Sequence, residues 1–135
     1  MSDIMYKRVM LKVSGEALAG PAHSGLDFDV INSVCCSIKE CLDMGVQVGL
    51  MVGAGNFWRG VKDGADRMQR SHADAMGMLG TVMNSIAVAD ALEKHGVDAR
   101  VLSAVEMHKF CEYFTRLTLT ISLISQRVVI MQANL

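Results

Sequence analysis

Two apolar runs of the chain each end in a turn with a cation close by. Lys12-Val13-Ser14-Gly15 ends the first run, and Gly53-Ala54-Gly55 ends the second, with Arg59 following a few residues later. Turns of this kind expose backbone N–H groups that bind anions, and the cations add positive charge. Glycine also lets a backbone approach an anion closely. Both stretches therefore have the residue types of a phosphate-binding site.

Each stretch also has a plainer interpretation, because a tight turn beside a surface cation needs no ligand. The chain contains no G-x-x-x-x-G-K-[ST] motif, which excludes a P-loop. In open parallel sheets, however, ligands lie beyond the carboxyl ends of the strands. Two strand ends of this type in a small chain favour a single anion site that includes Lys12 and Arg59.

Asp74 is a third polar residue whose spacing carries information. Ser71 precedes it by three residues, which is the spacing of a capping box. In that motif the carboxylate accepts a hydrogen bond from the backbone N–H of the first cap residue. From the residues alone, we predict that Asp74 caps a helix that begins at Ser71.

Histidine and cysteine give no metal-binding pattern. The four histidines lack the spacing of metal ligands, and no two of the four cysteines form a C-x-x-C pair. We predict reduced thiols in the core of a cytosolic protein. The residues concerned are His23, His72, His95, His108, Cys35, Cys36, Cys41 and Cys111.

The composition sets bounds on size and partners. The chain has 135 residues, of which 51% are hydrophobic, and a formal net charge of -1. This suits one small domain or part of a larger one, with no overall field that attracts nucleic acid or an anionic membrane. The first ten residues lack a signal-peptide pattern, and no uninterrupted apolar stretch reaches the ~20 residues of a membrane span. We expect a cytoplasmic protein that binds neither nucleic acid nor membrane.

The elements that must position these residues are short strands alternating with helices. Strands are predicted at 8–13, 46–52, 99–104 and 127–131, with a loop from the end of the first strand to Leu26. A helix follows, capped by Asp27 or Asp29 and ended by Gly45. Another helix begins at Ser71 and runs to about Lys94-His95, with Gly96 as its stop. Strands without clean alternation, separated by helix-length segments, are typical of a parallel sheet covered on both faces, an α/β fold.

Residues 114–124 fit two structures. Leu117, Leu119, Ile121 and Leu123 alternate with Thr and Ser, which favours a strand. Another set, Phe114, Leu117, Ile121 and Ile124, fits one face of a helix. We predict a helix, because a crossover to the next parallel strand needs one.

The segment that follows Ser71 is apolar on almost every side and dense in Ala, Gly and Met. A helix of this composition is buried on most sides. It predicts either an internal core helix or a subunit interface, since methionine-rich surfaces adapt to partners.

With these features in order, the chain resembles the bacterial uridylate kinases (UMP kinases) of the amino-acid kinase superfamily. The match is collinear from Tyr6 to about Glu112 and resumes at 127–131. It is carried by YKRVMLKVSGEALAG (6–20), MGVQVG (44–49), GAGNFWRG (53–60), ADAMGMLGTVMNSIAVADALE (73–93) and VDARVLSAVEM (97–107).

The resemblance implies a fold, an activity and partners. The fold is a three-layer α/β/α sandwich around a mainly parallel sheet, the amino-acid kinase fold. The activity is ATP-dependent phosphorylation of UMP to UDP in pyrimidine nucleotide biosynthesis, with ATP and Mg²⁺. A homo-oligomer is implied, a hexamer built from dimers, with GTP as activator and UTP as inhibitor.

The resemblance also assigns roles to matching positions. Lys12 would be the catalytic residue, and no residue would hold a metal. The ATP and its phosphates would be bound by Lys12, Val13, Ser14, Gly15, Gly55 and Arg59. The UMP would be bound by Gly53, Ala54 and Asp74.

Two departures from the family pattern carry expectations of their own. The family's middle glycine is Ala54 here, so a methyl group is expected where UMP approaches, with backbone strain if φ is positive.

The family's chains continue beyond the equivalent of 127–131 into a loop that binds UMP and into an adenine pocket. We expect residues 6–135 to form the phosphate- and UMP-side, N-terminal portion of such a domain, incomplete at its C-terminus, after a short extension at 1–5. The alternative is a catalytically inactive α/β fragment that acts only in subunit association.

Overall fold

A computed structural model describes residues 3–59, 63–125 and 127–132. The strands are β1 (Arg8–Val13), β2 (Gln47–Val52), β3 (Ala99–Ser103), β4 (Glu112–Tyr113) and β5 (Val128–Gln132). They form one sheet in the order β1-β2-β5-β3-β4, and every neighbouring pair is parallel. The four predicted strands are confirmed. The two-residue β4 was not predicted, because Glu-Tyr offers no apolar run.

The helices are α1 (Gly15–Ala19), α2 (Phe28–Asp43), α3 (Arg70–Lys94) and α4 (Arg116–Ile124). The first three pack on one face of the sheet, where Leu18, Ile38 and Leu92 meet Leu50 and Ile130 in the main core. On the other face, α4 covers a smaller cluster. The apolar members of that cluster are Met51, Leu102, Phe114, Leu119, Leu123, Val129 and Met131. This is the expected three-layer α/β/α sandwich around a parallel sheet.

The predicted loop between β1 and Leu26 is wrong in its first part, because it holds α1 and a 3-10 turn at Gly20–Ala22. Ser14 caps α1: its Oγ accepts a hydrogen bond from the backbone N–H of Ala17 at 3.1 Å. Glu, Ala and Leu follow, which are good helix formers. Ser14-Gly15 therefore ends the strand and begins a helix at once.

The other helix boundaries follow local signals in most cases. Asp27 caps α2, and Gly45 follows its end with φ +87°. Thr115 caps α4 in a reciprocal pair of hydrogen bonds with Thr118, which confirms the helix predicted at 114–124. Gly96, with φ +78°, follows the end of α3 as predicted.

The capping box predicted for α3 is absent. The helix begins at Arg70, so Ser71 lies inside its first turn, and the N-cap residue is Gln69, which makes no side-chain cap bond. The Asp74 carboxylate instead accepts a hydrogen bond from Nε of Arg70 at 2.9 Å. The prediction failed because the N-cap is Gln69, two residues before Ser71, so Ser71 and Asp74 do not occupy the positions of a capping box.

The long helix α3 is less buried than its composition suggests. One stripe of large apolar side chains faces outward along its middle, with exposed fractions from 40% to 56%. The stripe consists of Met76, Leu79, Met83 and Ile86. By length and composition α3 also suffices to cross a membrane, but half of its most apolar window is buried inside the fold, as in a core helix.

All four cysteines are free thiols, as predicted. Cys35 and Cys111 are buried, and burial raises the pKa of both thiols, that of Cys35 to about 11. Cys36 is exposed on the outer side of α2, so the prediction that it belongs to the core is wrong. Adjacent helical positions point in different directions, and only one of the pair can face the sheet.

Candidate functional site

The two predicted turns lie side by side, because they follow neighbouring parallel strands. Val13 and Val52 are paired at the ends of β1 and β2, and the Gly53 N–H donates to the Val13 carbonyl at 3.0 Å. The Gly53 N–H therefore already has its acceptor. By contrast, the N–H groups of Ala54 and Gly55 have no acceptor among the described residues. Free N–H groups of this kind can bind an anion.

Gly15 shows how tightly the two turns pack. A methyl group placed on its Cα would lie 2.6 Å from Oδ1 of Asn56 and closer still to the backbone nitrogen of Gly55. Gly53 is similar, since a Cβ there would lie 3.2 Å from the nitrogen of Gly15. Neither Gly53 nor Gly55 has a positive φ. Glycine is required here for close approach of two backbones and not for an unusual dihedral angle.

The condition for backbone strain at Ala54, a positive φ, is not met. Among the described residues other than glycine, a positive φ occurs at His23 and not at Ala54. Ala54 is buried, and its methyl group packs toward α3, where a Cβ on Gly80 would lie only 2.9 Å from it. The missing side chain of Gly80 thus provides the space that the methyl group occupies.

Arg59 reaches back over the second turn, as the sequence predicted. Its guanidinium lies against Gly55 and forms an ion pair with the carboxylate of Glu16 on α1. The backbone N–H of Arg59 donates to the Asp63 carboxylate at 2.8 Å. Both side chains of the Arg59–Glu16 pair remain about half exposed, so a bound anion can compete for the guanidinium.

Asp74 faces a cleft next to this turn. The cleft has a volume of about 530 Å³ and lies between the second turn and the first turns of α3. Trp58 closes one side, and its Nε1–H donates to the Ala73 carbonyl at 2.9 Å. The residues lining the cleft are Ala54, Gly55, Trp58, Arg59, Ala73, Asp74, Gly77 and Met78. The structure therefore brings four of the predicted site residues to one cavity: Ala54, Gly55, Arg59 and Asp74.

Lys12 approaches from another side. It is exposed near the end of β1, and its register partner is Met51, whose side chain packs in the cluster under α4. Arg59, by contrast, pairs with α1, which packs on the opposite face of the sheet through Leu18. A ligand that touches both cations must therefore span the carboxyl edge of the sheet.

A buried polar pair that was not predicted from the sequence lies behind the turn. Asn84 of α3 and Asn56 hydrogen-bond to each other, and Asn84 also donates to the Gly53 carbonyl at 2.6 Å. Asparagine in the middle of an otherwise apolar helix was the available signal, because a buried amide needs hydrogen-bond partners. Glu16 was also missed as the partner of Arg59.

Metal-ligating side chains are not grouped in the described part of the chain, where no three His, Cys, Asp or Glu residues lie close enough to hold an ion. The groups at this edge of the sheet that can bind an anion are the backbone N–H groups of Ala54 and Gly55, Arg59 and Lys12, and the Asp74 carboxylate can accept hydrogen bonds.

Comparisons with known proteins identify the family and the fold. The family model described as "Amino acid kinase family" matches residues 7–133. A UMP kinase from Bacillus anthracis is similar in structure, with a TM-score of 0.86 and 29% identity over 93% of this chain and 52% of that one. A UMP kinase from Ureaplasma parvum has a TM-score of 0.85 and 30% identity, over 93% of this chain and 55% of that one.

A more distant structure shares the fold alone. An isopentenyl phosphate kinase matches with a TM-score of 0.64 and 16% identity, over 93% of this chain and 56% of that one. In all three comparisons the chain spans little more than half the length of the protein that it matches. Because the family model covers nearly the whole sequence, the chain belongs to the amino acid kinase family.

Proposed function

We propose that this chain is the phosphate- and UMP-binding part of a UMP kinase, which transfers the terminal phosphoryl group of ATP to UMP. An oxygen of the UMP phosphate attacks the terminal phosphorus of ATP, and UDP and ADP are the products. The observation that carries the proposal is the cleft in which the Gly53–Gly55 turn, Arg59 and Asp74 meet. Phosphoryl transfer is catalysed mainly by positioning and charge stabilisation, which these groups can supply.

The roles proposed for single residues follow from where each lies. The free N–H groups of Ala54 and Gly55 would bind phosphate oxygens, and Arg59 would leave Glu16 to neutralise them. Asp74 would accept hydrogen bonds from the UMP ribose. Lys12 would act on the transferring phosphoryl group from the far side of the carboxyl edge.

The remaining predicted residues support this arrangement through the backbone. Ser14 and Gly15 bring the first turn against the second, and Val13 holds Gly53 through its carbonyl group. Gly53 then contributes to UMP binding by keeping its side of the turn free of side-chain atoms. The domain proposed from the sequence comprises residues 6–135, with 1–5 as an extension.

The described residues do not fit a protein-held magnesium site, because no carboxylate cluster is present. Mg²⁺ would therefore be bound by the ATP phosphates, and it would supply charge neutralisation there. The wider setting that we propose is cytoplasmic pyrimidine nucleotide biosynthesis, in a homo-oligomer that responds to GTP and UTP. The similarity to two UMP kinases supports nucleotides as the substrates in this setting.

Asp74→Asn tests the proposal against a matched control on the same helix. Asp74 and Asp90 are exposed carboxylates of α3, and each forms an i,i+4 ion pair, with Arg70 at 2.9 Å and with Lys94 at 2.8 Å. Removing either pair should cost only about 0.5 kcal/mol of stability. Calorimetric titration with UMP should show at least a roughly tenfold weaker Kd for Asp74→Asn and an unchanged Kd for Asp90→Asn.

Equal UMP affinity in the two variants would contradict the ribose-binding role. The wild-type chain is titrated first, with UMP and with magnesium ATP. Absence of binding for both nucleotides would refute the proposed function for this chain.

A second candidate function is subunit association without catalysis. The apolar stripe of α3, Met76 to Ile86, favours it, because contiguous exposed apolar patches on soluble proteins usually mark interaction sites. A stripe along one helix suits pairing with a second copy around a two-fold axis, in which the same patch meets itself. A chain can both associate and take part in catalysis. Association would therefore be its sole function only if it binds no nucleotide.

A further inference from the structure

Two asparagine side chains are buried directly behind the second turn. Asn84 is 0% exposed and Asn56 is 4% exposed. Each donates to the other: Asn84 Nδ2 to Asn56 Oδ1 at 2.7 Å, and Asn56 Nδ2 to Asn84 Oδ1 at 3.0 Å. Burying an amide without partners is costly, and this reciprocal pairing offsets that cost.

The second hydrogen of each amide binds a different segment of the backbone. Asn84 donates to the Gly53 carbonyl at 2.6 Å, and Asn56 donates to the Gly25 carbonyl at 2.7 Å. The Gly25 N–H returns a bond to the Asn56 carbonyl at 3.2 Å. The pair therefore joins three segments: α3, the second turn and the loop that precedes α2. Both N–H donors of each side chain are used, so the network is complete on the donor side.

The turn is also fixed from its opposite side. Gly15 leaves no room for a side chain against Asn56 and Gly55, so the first turn presses on the second. A second link to α3 comes from Trp58, whose indole N–H binds the Ala73 carbonyl next to Asp74. The distance between the phosphate-binding N–H groups and Asp74 is therefore set by α3 at two points, Ala73 and Asn84.

We infer that Asn84 is a positioning residue, which together with Asn56 holds the Gly53–Gly55 turn at the correct distance from Asp74. The inference rests on the proposed function, because the proposed function assigns phosphate binding to the turn and ribose binding to Asp74. Asn84 does not touch the ligand: it acts through the Gly53 carbonyl. Buried networks whose donors are all satisfied select one conformation, which keeps Ala54 and Gly55 at the wall of the cleft.

Hydrogen exchange of the wild-type chain, followed by NMR, tests the pair without a substitution. The side-chain amide protons of Asn56 and Asn84 should exchange roughly 100-fold more slowly than those of Asn32, which is exposed on α2. Exchange as fast as that of Asn32 would overturn the inference, because the pair would then be open to water.

Asn84→Ala tests the effect on the turn, with Val88→Ala as a control. Both residues are buried on α3, but Val88 packs in the main core and makes no bond to the turn. The readouts are exchange of the Gly53 and Phe57 amides, which are hydrogen-bonded in the turn, and the Kd for UMP. Asn84→Ala should speed exchange and weaken UMP binding, each by roughly tenfold at least. Val88→Ala should lower Tm and leave the UMP affinity unchanged.

Three outcomes decide the matter. If the Gly53 and Phe57 amides exchange faster in Asn84→Ala while the UMP affinity is unchanged, the pair has only a structural role and the inference is overturned. An equal loss of UMP affinity in Val88→Ala would have the same effect, since general destabilisation would explain both. If the wild type does not bind UMP, the proposed function fails, and the exchange of the Gly53 and Phe57 amides still shows whether Asn84 holds the turn. Should Asn84→Ala not fold, Asn84→Ser keeps a hydroxyl donor and carries the same comparison.

Discussion

Ala54 and Gly80 divide one space between the turn and α3. The methyl group of Ala54 points at Gly80, and a second methyl group there would lie 2.9 Å away. Real carbon atoms do not approach so closely, so only one of the two positions can carry a side chain without a shift of the backbone. The substitution of a glycine in the turn is thus accommodated by the absence of a side chain on the facing helix.

This arrangement predicts strong coupling between the two positions. Gly80→Ala alone should be destabilising, because overpacking costs about 1–3 kcal/mol and exceeds the ~1 kcal/mol gained from helix propensity. Adding Ala54→Gly should recover the stability, with a coupling free energy of at least about 1 kcal/mol in a double-mutant cycle. Urea unfolding of the four proteins measures it. Effects that simply add would show that the two positions do not share this space.

Cys35 and Cys36 are neighbours in sequence with opposite environments. Burial, and to a smaller extent the charge of Cys36, raises the pKa of the Cys35 thiol from 9.0 to about 11. At pH 8 an alkylating reagent should therefore modify Cys36 in the folded protein and leave Cys35 unmodified until the chain unfolds. Peptide mass spectrometry after brief labelling distinguishes the two. Equal labelling of both thiols would refute the buried position of Cys35.

The same pKa shift makes the free energy of unfolding depend on pH in the alkaline range. The folded-state pKa lies above the unfolded one, so between pH 9 and about 11 the unfolded chain loses the Cys35 proton while the folded chain retains it. The stabilising contribution is complete below pH 9 and is lost as the pH rises through about 11. Urea unfolding under reducing conditions should show the wild-type advantage over Cys35→Ala shrinking across this range. A constant advantage would contradict the shift.

At the scale of elements, α4 depends on its first turn. The helix is nine residues long, and the Oγ1 atoms of Thr115 and Thr118 each accept a hydrogen bond from the other residue's N–H at 3.0 Å. Short helices are marginal without such caps and tertiary packing. Because α4 alone covers the second face of the sheet among the described helices, its cap also protects that core.

Thr115→Ala should therefore lower the free energy of unfolding by about 1 kcal/mol. Thr120→Ala is the matched control, because it removes the same atoms from the same helix, where the hydroxyl only donates to the Arg116 carbonyl. Alanine has the higher helix propensity, so the control should be neutral or slightly stabilising. Thermal unfolding of both variants tests the difference. Similar losses in both would show that the cap contributes nothing specific.

For the whole molecule, the α3 stripe predicts self-association. Leu79→Glu and Met83→Glu should raise the dissociation constant of a dimer at least roughly tenfold, because a charge at the centre of an apolar interface is costly to bury. Phe28→Glu, at an exposed apolar residue on α2, should leave it unchanged. Sedimentation equilibrium gives the mass directly. A monomeric wild type would rule out this interface.

Much of the fold could be predicted from the sequence because its signals are local. The four longer strands, the starts of α2 and α4 and the ends of α2 and α3 follow from apolar runs, caps and glycines. The errors have local causes too. Ser14-Gly15 both ends β1 and begins α1, and the spacing of Ser71 and Asp74 imitates a capping box inside a helix that starts earlier.

By itself, the sequence determined the parallel α/β class, the two turns and the family, since each depends on residue type and short spacing. Only the tertiary structure decided which of these residues share a cavity. It brings Asp74 and Arg59 to one cleft and places Lys12 on the other face of the sheet. It also packs Ala54 against Gly80 and pairs Asn56 with Asn84. These contacts connect residues far apart in the chain, and their geometry depends on the order of strands in the sheet and the packing of α3 upon it. No local pattern encodes such distances.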